Sequence, residues 1–204
     1  MKSMEVITLN KKLFSEKCSE LICKMDFHSD FVVGILGGGG YVIDEIVNEV
    51  GFDSTQFELV RLQRVNKFKS NFVVKSILKL LPYSITNKLR ILESKKARSS
   101  ITELNLTKLS SNYIDFKLNS DSIDIVKNIL ILDDAIDTGK TMFIVKNSLS
   151  KLFPESQIKT AVISWTIENS IIKPDYYLYK NILVRFPWSK DYKGKDFEKK
   201  SISS

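Results

Sequence analysis

Apolar residues recur along this chain in two alternating rhythms. Residues 31–36 (Phe-Val-Val-Gly-Ile-Leu) form an uninterrupted apolar run, the pattern of a strand buried on both faces. Residues 129–132, 158–165 and 182–186 read the same way, and residues 57–62 read as a strand by β-propensity. Between these runs the spacing becomes helical. Leu13, Leu21 and Ile22 share a face in residues 9–25, Val42, Ile43, Ile46 and Val47 do so in 41–50, and a helix over 141–152 is stopped by Pro154. Four glycines, Gly37 to Gly40, separate the first strand from its helix as a turn. Strand, glycine turn, helix, strand predicts a parallel βαβ unit, so the expected class is α/β with a parallel sheet flanked by helices.

Residues 66–100 break the alternation. Segments 72–81 and 85–93 both have helical spacing with Pro82 between them, which predicts an inserted helical hairpin. The expectation is one domain over residues 1–204, with that insertion, a small hood and a lysine-rich tail over 190–204 that frays.

Composition narrows the class. Hydrophobic residues make up 43% of the chain, enough for a sizeable core, and no run reaches the ~20 apolar residues that span a bilayer. Lysines and Glu16 interrupt the N-terminal region, so no signal peptide is read there and a cytoplasmic location is expected. Cys18 and Cys23 read as reduced thiols, and the single histidine, His28, argues against a zinc site. The net charge of +7 is concentrated in the insertion: between Arg61 and Arg98, Glu93 is the only acid. Such a segment suits a solvated face, an anionic substrate or an anionic membrane surface at the inner face of a membrane; nucleic acid is not favoured.

Residues 131–141 (Ile-Leu-Asp-Asp-Ala-Ile-Asp-Thr-Gly-Lys-Thr) carry the chemistry. They join a buried strand to a helix, where open α/β sheets bind ligands. The free amides of the helix start can cradle a phosphate, helped by the Thr138 and Thr141 hydroxyls, with Gly139 allowing close backbone approach. Gly139-Lys140-Thr141 invites a nucleotide-triphosphate loop, but Asp134 stands where that motif needs its first glycine, and a carboxylate there would repel polyphosphate. Asp133 and Asp134 suit instead the hydroxyls of a sugar diol or a Mg²⁺ ion. A ligand joining a phosphate to a vicinal diol, such as ribose 5-phosphate, satisfies both halves.

The segment resembles the signature of the type I phosphoribosyltransferases, which use phosphoribosyl pyrophosphate (PRPP): four apolar residues, two acids, two apolar residues, Asp-Thr-Gly, then Thr. The resemblance implies a Rossmann-like sheet with a variable hood. It implies that Asp133 and Asp134 hold the ribose hydroxyls and Mg²⁺, that Asp137, Thr138, Gly139, Lys140 and Thr141 bind the 5-phosphate, and that Asp137 is the candidate general base. Leu36, Gly37, Gly38 and Gly39 resemble the family's pyrophosphate loop, with Arg64 as the cation that assists it.

The acceptor side departs from the nucleobase enzymes. The loop before the Gly-Gly pair has Gly37 where those enzymes often carry Arg or Lys. Thr166 and Ile167 stand after the strand ending at Trp165, where purine enzymes usually present a lysine. Phe186-Pro187-Trp188 resembles a tripeptide of xanthine–guanine and archaeal purine transferases, with Trp188 a candidate to stack on the acceptor. Leu81-Pro82-Tyr83 and residues 88–93 resemble phosphoribosyltransferase-like proteins of surface-polysaccharide synthesis. The expected acceptor is therefore a glycan hydroxyl, free or lipid-linked, in surface-polysaccharide synthesis; the alternatives are a purine base of nucleotide salvage and a non-catalytic PRPP-binding regulator. The anomer and the oligomeric state stay open, a homodimer included.

Overall fold

The computed structural model describes residues 4–47, 52, 55–62, 77–114, 116 and 126–197. The elements are β1 (Glu5–Thr8), α1 (Lys11–Cys23), β2 (Phe31–Ile35), α2 (Gly38–Ile46), β3 (Gln56–Val60), α3 (Tyr83–Ser100), α4 (Leu106–Ser110), β4 (Asn128–Ile136), α5 (Lys140–Leu152), β5 (Gln157–Trp165), β6 (Tyr176–Lys180) and β7 (Ile182–Arg185). Five strands form one parallel sheet in the order β3-β2-β4-β5-β6, and β1 pairs with β7 in a separate parallel ribbon.

Both faces of the sheet are buried, which is why its strands read as unbroken apolar runs. Phe31, Val33, Ile129, Ile131 and Val162 pack with Met142, Val145 and Leu149 of α5 on one face. Their neighbours in sequence, Val32, Leu130, Leu132, Ala161 and Ile163, pack on the other face with Phe14, Cys18 and Leu21 of α1 and Val42, Ile43 and Ile46 of α2. The chain turns one way from β2 to β3 and the other way from β4 onwards. The crevice between the carboxyl ends of β2 and β4 is thus the switch point of the sheet, where ligands bind in such folds.

Several expectations shift. β4 does not stop at Leu132 but runs through Ile136, because pairing with β5 continues at Asp133↔Val162, Ala135↔Ser164 and Ile136↔Trp165. The two acids therefore lie in the strand. The glycines are not a free turn: Gly37 has φ 119° and caps α2, while Gly38, Gly39 and Gly40 form its first turn. α2 ends at Ile46, short of the expected residue 50. Residues 77–80 are helical and Pro82 opens α3, which runs unbroken to Ser100 instead of ending near Glu93. The first arm of the expected hairpin, over 72–76, lies outside the described residues. The tail packs as far as Phe197, whose ring meets Tyr41 and Trp188, and Tyr192 is buried beside it. Cys18 is buried and Cys23 exposed, and neither forms a disulfide.

One charged cluster joins α3 to the β1–β7 ribbon and the C-terminal segment. Arg185 at the end of β7 is 1% exposed. It donates to Asp191 (2.9 Å), Thr8 (2.8 Å), Thr86 (3.0 Å) and Asn87 (2.6 Å), and its guanidinium lies over the Tyr83 ring at 4.0 Å. Arg90 donates to both carboxylate oxygens of the same Asp191, at 3.0 and 2.5 Å. Burial pushes the Asp191 carboxyl up, but hydrogen bonds and charge from Arg90 and Arg185 outweigh it and hold it at about 2. α3 is in this way tied to β1, β7 and the C-terminal segment over the mouth of the switch point.

Candidate active site

A cavity of about 620 Å³ opens at the switch point. Its floor is the end of β4. Asp133 Oδ1 accepts the amides of Asp134 (2.9 Å) and Gly39 (3.2 Å), joining the strand end to the start of α2. Asp134 Oδ2 accepts the indole N–H of Trp188 at 3.0 Å. The glycine run is what allows this approach. A Cβ on Gly38 would stand 1.8 Å from the Asp134 carboxyl carbon, and one on Gly39 would stand 2.3 Å from the Leu132 carbonyl oxygen. Burial, and then the charge of Asp134, push the Asp133 carboxyl well above the usual carboxylate range. Burial raises Asp134 as well, opposed by the Trp188 hydrogen bond.

The second wall is the turn into α5. Thr138 and Gly139 hold it: the Thr138 carbonyl accepts the Ile171 amide at 3.0 Å, and Gly139 adopts φ 84°. A side chain at Gly139 would need both that left-handed conformation and room where the Ile172 amide stands 2.9 Å away. No side chain caps α5, so its first amides, with the Thr138 and Thr141 hydroxyls, form the kind of terminus that binds anions. Asp137 is exposed at this turn.

The remaining walls mix polar and apolar side chains. Thr166 lines the cavity after β5, Leu183, Val184, Phe186, Trp188 and Ser189 line it from β7 onwards, and Arg90, Glu93, Ser94 and Ala97 line it from α3. Ser94 is 5% exposed and its hydroxyl has no partner, an unmet hydrogen-bonding group at the cavity wall.

Asp133, Asp134, Asp137, Thr138, Gly139, Lys140, Thr141, Leu36, Gly37, Gly38 and Trp188 thus line one cavity, and Gly39 lies directly beneath it. Arg64 lies outside the described residues. Trp188 is placed differently from an acceptor platform. Its ring stacks on Tyr41 (4.5 Å) and Phe186 (4.9 Å), meets Phe14 edge-on (4.8 Å), and turns its N–H to Asp134. Two members were not among the expected site residues. Glu93 and Ser94 come to the cavity because α3 is one long helix whose 90, 93, 94 and 97 positions share a face, a periodicity readable once the helix is not ended early.

The pair Asp133 and Asp134 fits a hard divalent cation in donor chemistry, since two half-buried carboxylates with raised pKa values gain from a nearby positive charge. Among the described residues no group of three acidic, histidine or cysteine side chains could cage a metal. An ion here would arrive with a phosphorylated ligand and keep waters.

The sequence profile described as phosphoribosyl transferase domain matches residues 3–195. The chain belongs to the phosphoribosyltransferase family. Its fold is that of the type I enzymes, and it is a transferase acting with PRPP. Two solved structures share the architecture. The purine phosphoribosyltransferase from Pyrococcus horikoshii Ot3 aligns with a TM-score of 0.56 at 18% identity, over 91% of this chain and 95% of that one. The Helicobacter pylori xanthine-guanine-hypoxanthine phosphoribosyltransferase aligns with a TM-score of 0.55 at 12% identity, over 91% and 92%. A comparison with curated protein sequences gives no match.

Proposed function

We propose that this phosphoribosyltransferase moves the 5-phosphoribosyl group of PRPP to a purine base, releasing pyrophosphate. The observation that carries the donor half is the single cavity joining paired acids to two glycine-bearing helix starts. In this reading Asp133 and Asp134 accept hydrogen bonds from the ribose hydroxyls. The α5 turn, from Asp137 to Thr141, holds the 5-phosphate. Leu36, Gly37, Gly38 and Gly39 face the pyrophosphate, with Arg64 assisting. Asp133 and Asp134 would hold a Mg²⁺ ion, and that ion would supply charge neutralisation for the departing pyrophosphate. The bond from C1 to the pyrophosphate oxygen breaks, the acceptor atom bonds to C1, and the acceptor proton leaves to Asp137 or to water.

The purine half is supported by the two relatives of matching architecture, both named for purine substrates. It replaces the glycan hydroxyl expected from the sequence as the leading account. One observation keeps the glycan as a second reading. After β5 the cavity presents Thr166, where a purine enzyme would usually offer a lysine, and its acceptor side carries hydroxyls and one acid: Thr166, Ser94, Ser189 and Glu93. Such groups suit a polyhydroxylated acceptor as well as a base.

Pyrophosphate release from PRPP and Mg²⁺ should be followed with hypoxanthine, guanine and xanthine in turn, and with a synthetic glycan. Nucleotide formation with any purine is the expected result. Release only with the glycan would transfer the assignment to the second reading, and PRPP that fails to bind at all would remove both.

A further inference from the structure

α3 has two faces with opposite character. At 100° per residue, Thr86, Arg90, Glu93, Ser94 and Ala97 fall on one side, and these are buried or line the active-site cavity. Ile85, Leu89 and Leu92 fall within a ~60° arc on an adjoining face, centred about 120° away. They are exposed by 44%, 40% and 54%, and Leu80, just ahead of α3, is 82% exposed. Large apolar side chains grouped on one face at such exposure mark an interaction surface. Lys79, Lys88, Lys95 and Lys96 surround them, all exposed. The only acid from Arg61 to Arg98, Glu93, sits on the cavity side.

We propose that this outward face of α3 docks on an anionic lipid surface, with Leu80, Ile85, Leu89 and Leu92 entering the headgroup boundary and the four lysines meeting the lipid charge. The apolar stripe bordered by lysines is the composition of interfacial helices. No helix among the described residues is long and apolar enough to cross a membrane, so the contact is with the surface. Charge separates this occupant from a second copy of the chain. A two-fold contact through this face would bring the Lys88, Lys95 and Lys96 of both copies into one interface, where their charges repel, whereas an anionic bilayer attracts all of them together. The Arg185–Asp191–Arg90 cluster anchors the cavity side of the helix, so the face is presented on a fixed support. The inference goes beyond the assignment of an acceptor and holds for either one.

The test is sedimentation of the full chain with vesicles of phosphatidylcholine and phosphatidylglycerol, against phosphatidylcholine alone. Binding is expected on the anionic vesicles, falling with salt. Leu89→Ser with Leu92→Ser, and separately Lys88→Glu with Lys95→Glu, should each lower the partition coefficient by about tenfold or more. PRPP affinity and the unfolding temperature should stay unchanged, since none of these side chains reaches the cavity. Failure of the wild-type chain to bind anionic vesicles overturns the proposal, as does equal binding to neutral ones or undiminished binding by the variants. A dimer in solution that dissociates on Leu89→Ser with Leu92→Ser would also overturn it, by assigning the face to a second copy. Loss of PRPP binding in the wild type would count against the enzymatic reading and leave the vesicle result interpretable.

Discussion

At the scale of single residues, the least expected contact is the one between Trp188 and Asp134. The sequence offers Trp188 as a stacking surface for the acceptor, because aromatic tips near a strand end suit that work. Instead its ring is committed to Tyr41, Phe186 and Phe14, and its N–H is aimed at an acid of the donor site. Such a bond to a carboxylate contributes about 1.5–3 kcal/mol, and here it fixes which Asp134 oxygen is left for a ligand. If Asp134 holds the ribose as proposed, Trp188 is a positioning residue that acts on PRPP through Asp134. Asp134→Asn should weaken PRPP binding by roughly tenfold, and Trp188→Phe, which keeps the stacking, by about threefold to tenfold. The two together should lose no more than Asp134→Asn alone, because the second change acts only through the first. Calorimetric titration with PRPP and Mg²⁺ checks this cycle, and additive losses would show that Trp188 serves some other part of the site.

Elements carry the rest of the geometry, and here legibility was uneven. β2, β4, β5 and β7 stood out as apolar runs because they are buried, β3 by its β-propensity, and helices α1 and α5 because burial on one face leaves a helical stripe. β1 and β6 did not stand out. Residues 5–8 and 176–180 are half-buried or exposed edge strands without an alternation of buried and exposed positions, so no local period marks them. The extent of α3 was also hidden, because its outward leucines are interrupted by lysines and its inward positions hold Thr86, Arg90 and Ser94 instead of apolar residues. What fixes α3 is the buried cluster around Asp191, and this gives a pH-dependent prediction. Asp191 sits at about 2 when folded, below the ~3.9 of an unfolded chain. A depressed carboxyl stabilises the fold above its unfolded pKa, and that contribution is lost as pH falls through about 2. Asp191→Asn should therefore cost about 2–3 kcal/mol at neutral pH, with Arg185 left buried and unpaired. The deficit should narrow as pH drops from about 4 towards 2. Chemical denaturation of both proteins across that range measures it, and a deficit constant with pH would mean that the charge of Asp191 contributes nothing.

For the molecule as a whole, the motif over residues 131–141 made one wall of the cavity, the proposed donor site, readable, since it is contiguous and its chemistry is local. The acceptor side is assembled from α3, the end of β5 and the residues after β7, which no linear pattern connects, and so its contents emerged only from the fold. The same assembly makes PRPP a cross-link. Its ribose, phosphate and pyrophosphate would touch β4, the start of α5 and the start of α2 at once. A ligand that binds only the folded chain stabilises it by about 2.7 kcal/mol at a hundredfold excess over its dissociation constant. For a chain of this length that corresponds to a rise of roughly 5–10 °C in unfolding temperature. Mg²⁺ should be needed for most of it, because the paired carboxylates and the pyrophosphate repel one another without a cation between them. Thermal unfolding with PRPP and Mg²⁺ should show this rise, and excess chelator should remove most of it while leaving the ligand-free curve in place. A rise that survives chelation would place the polyphosphate away from Asp133 and Asp134, and with it the donor geometry drawn from the sequence.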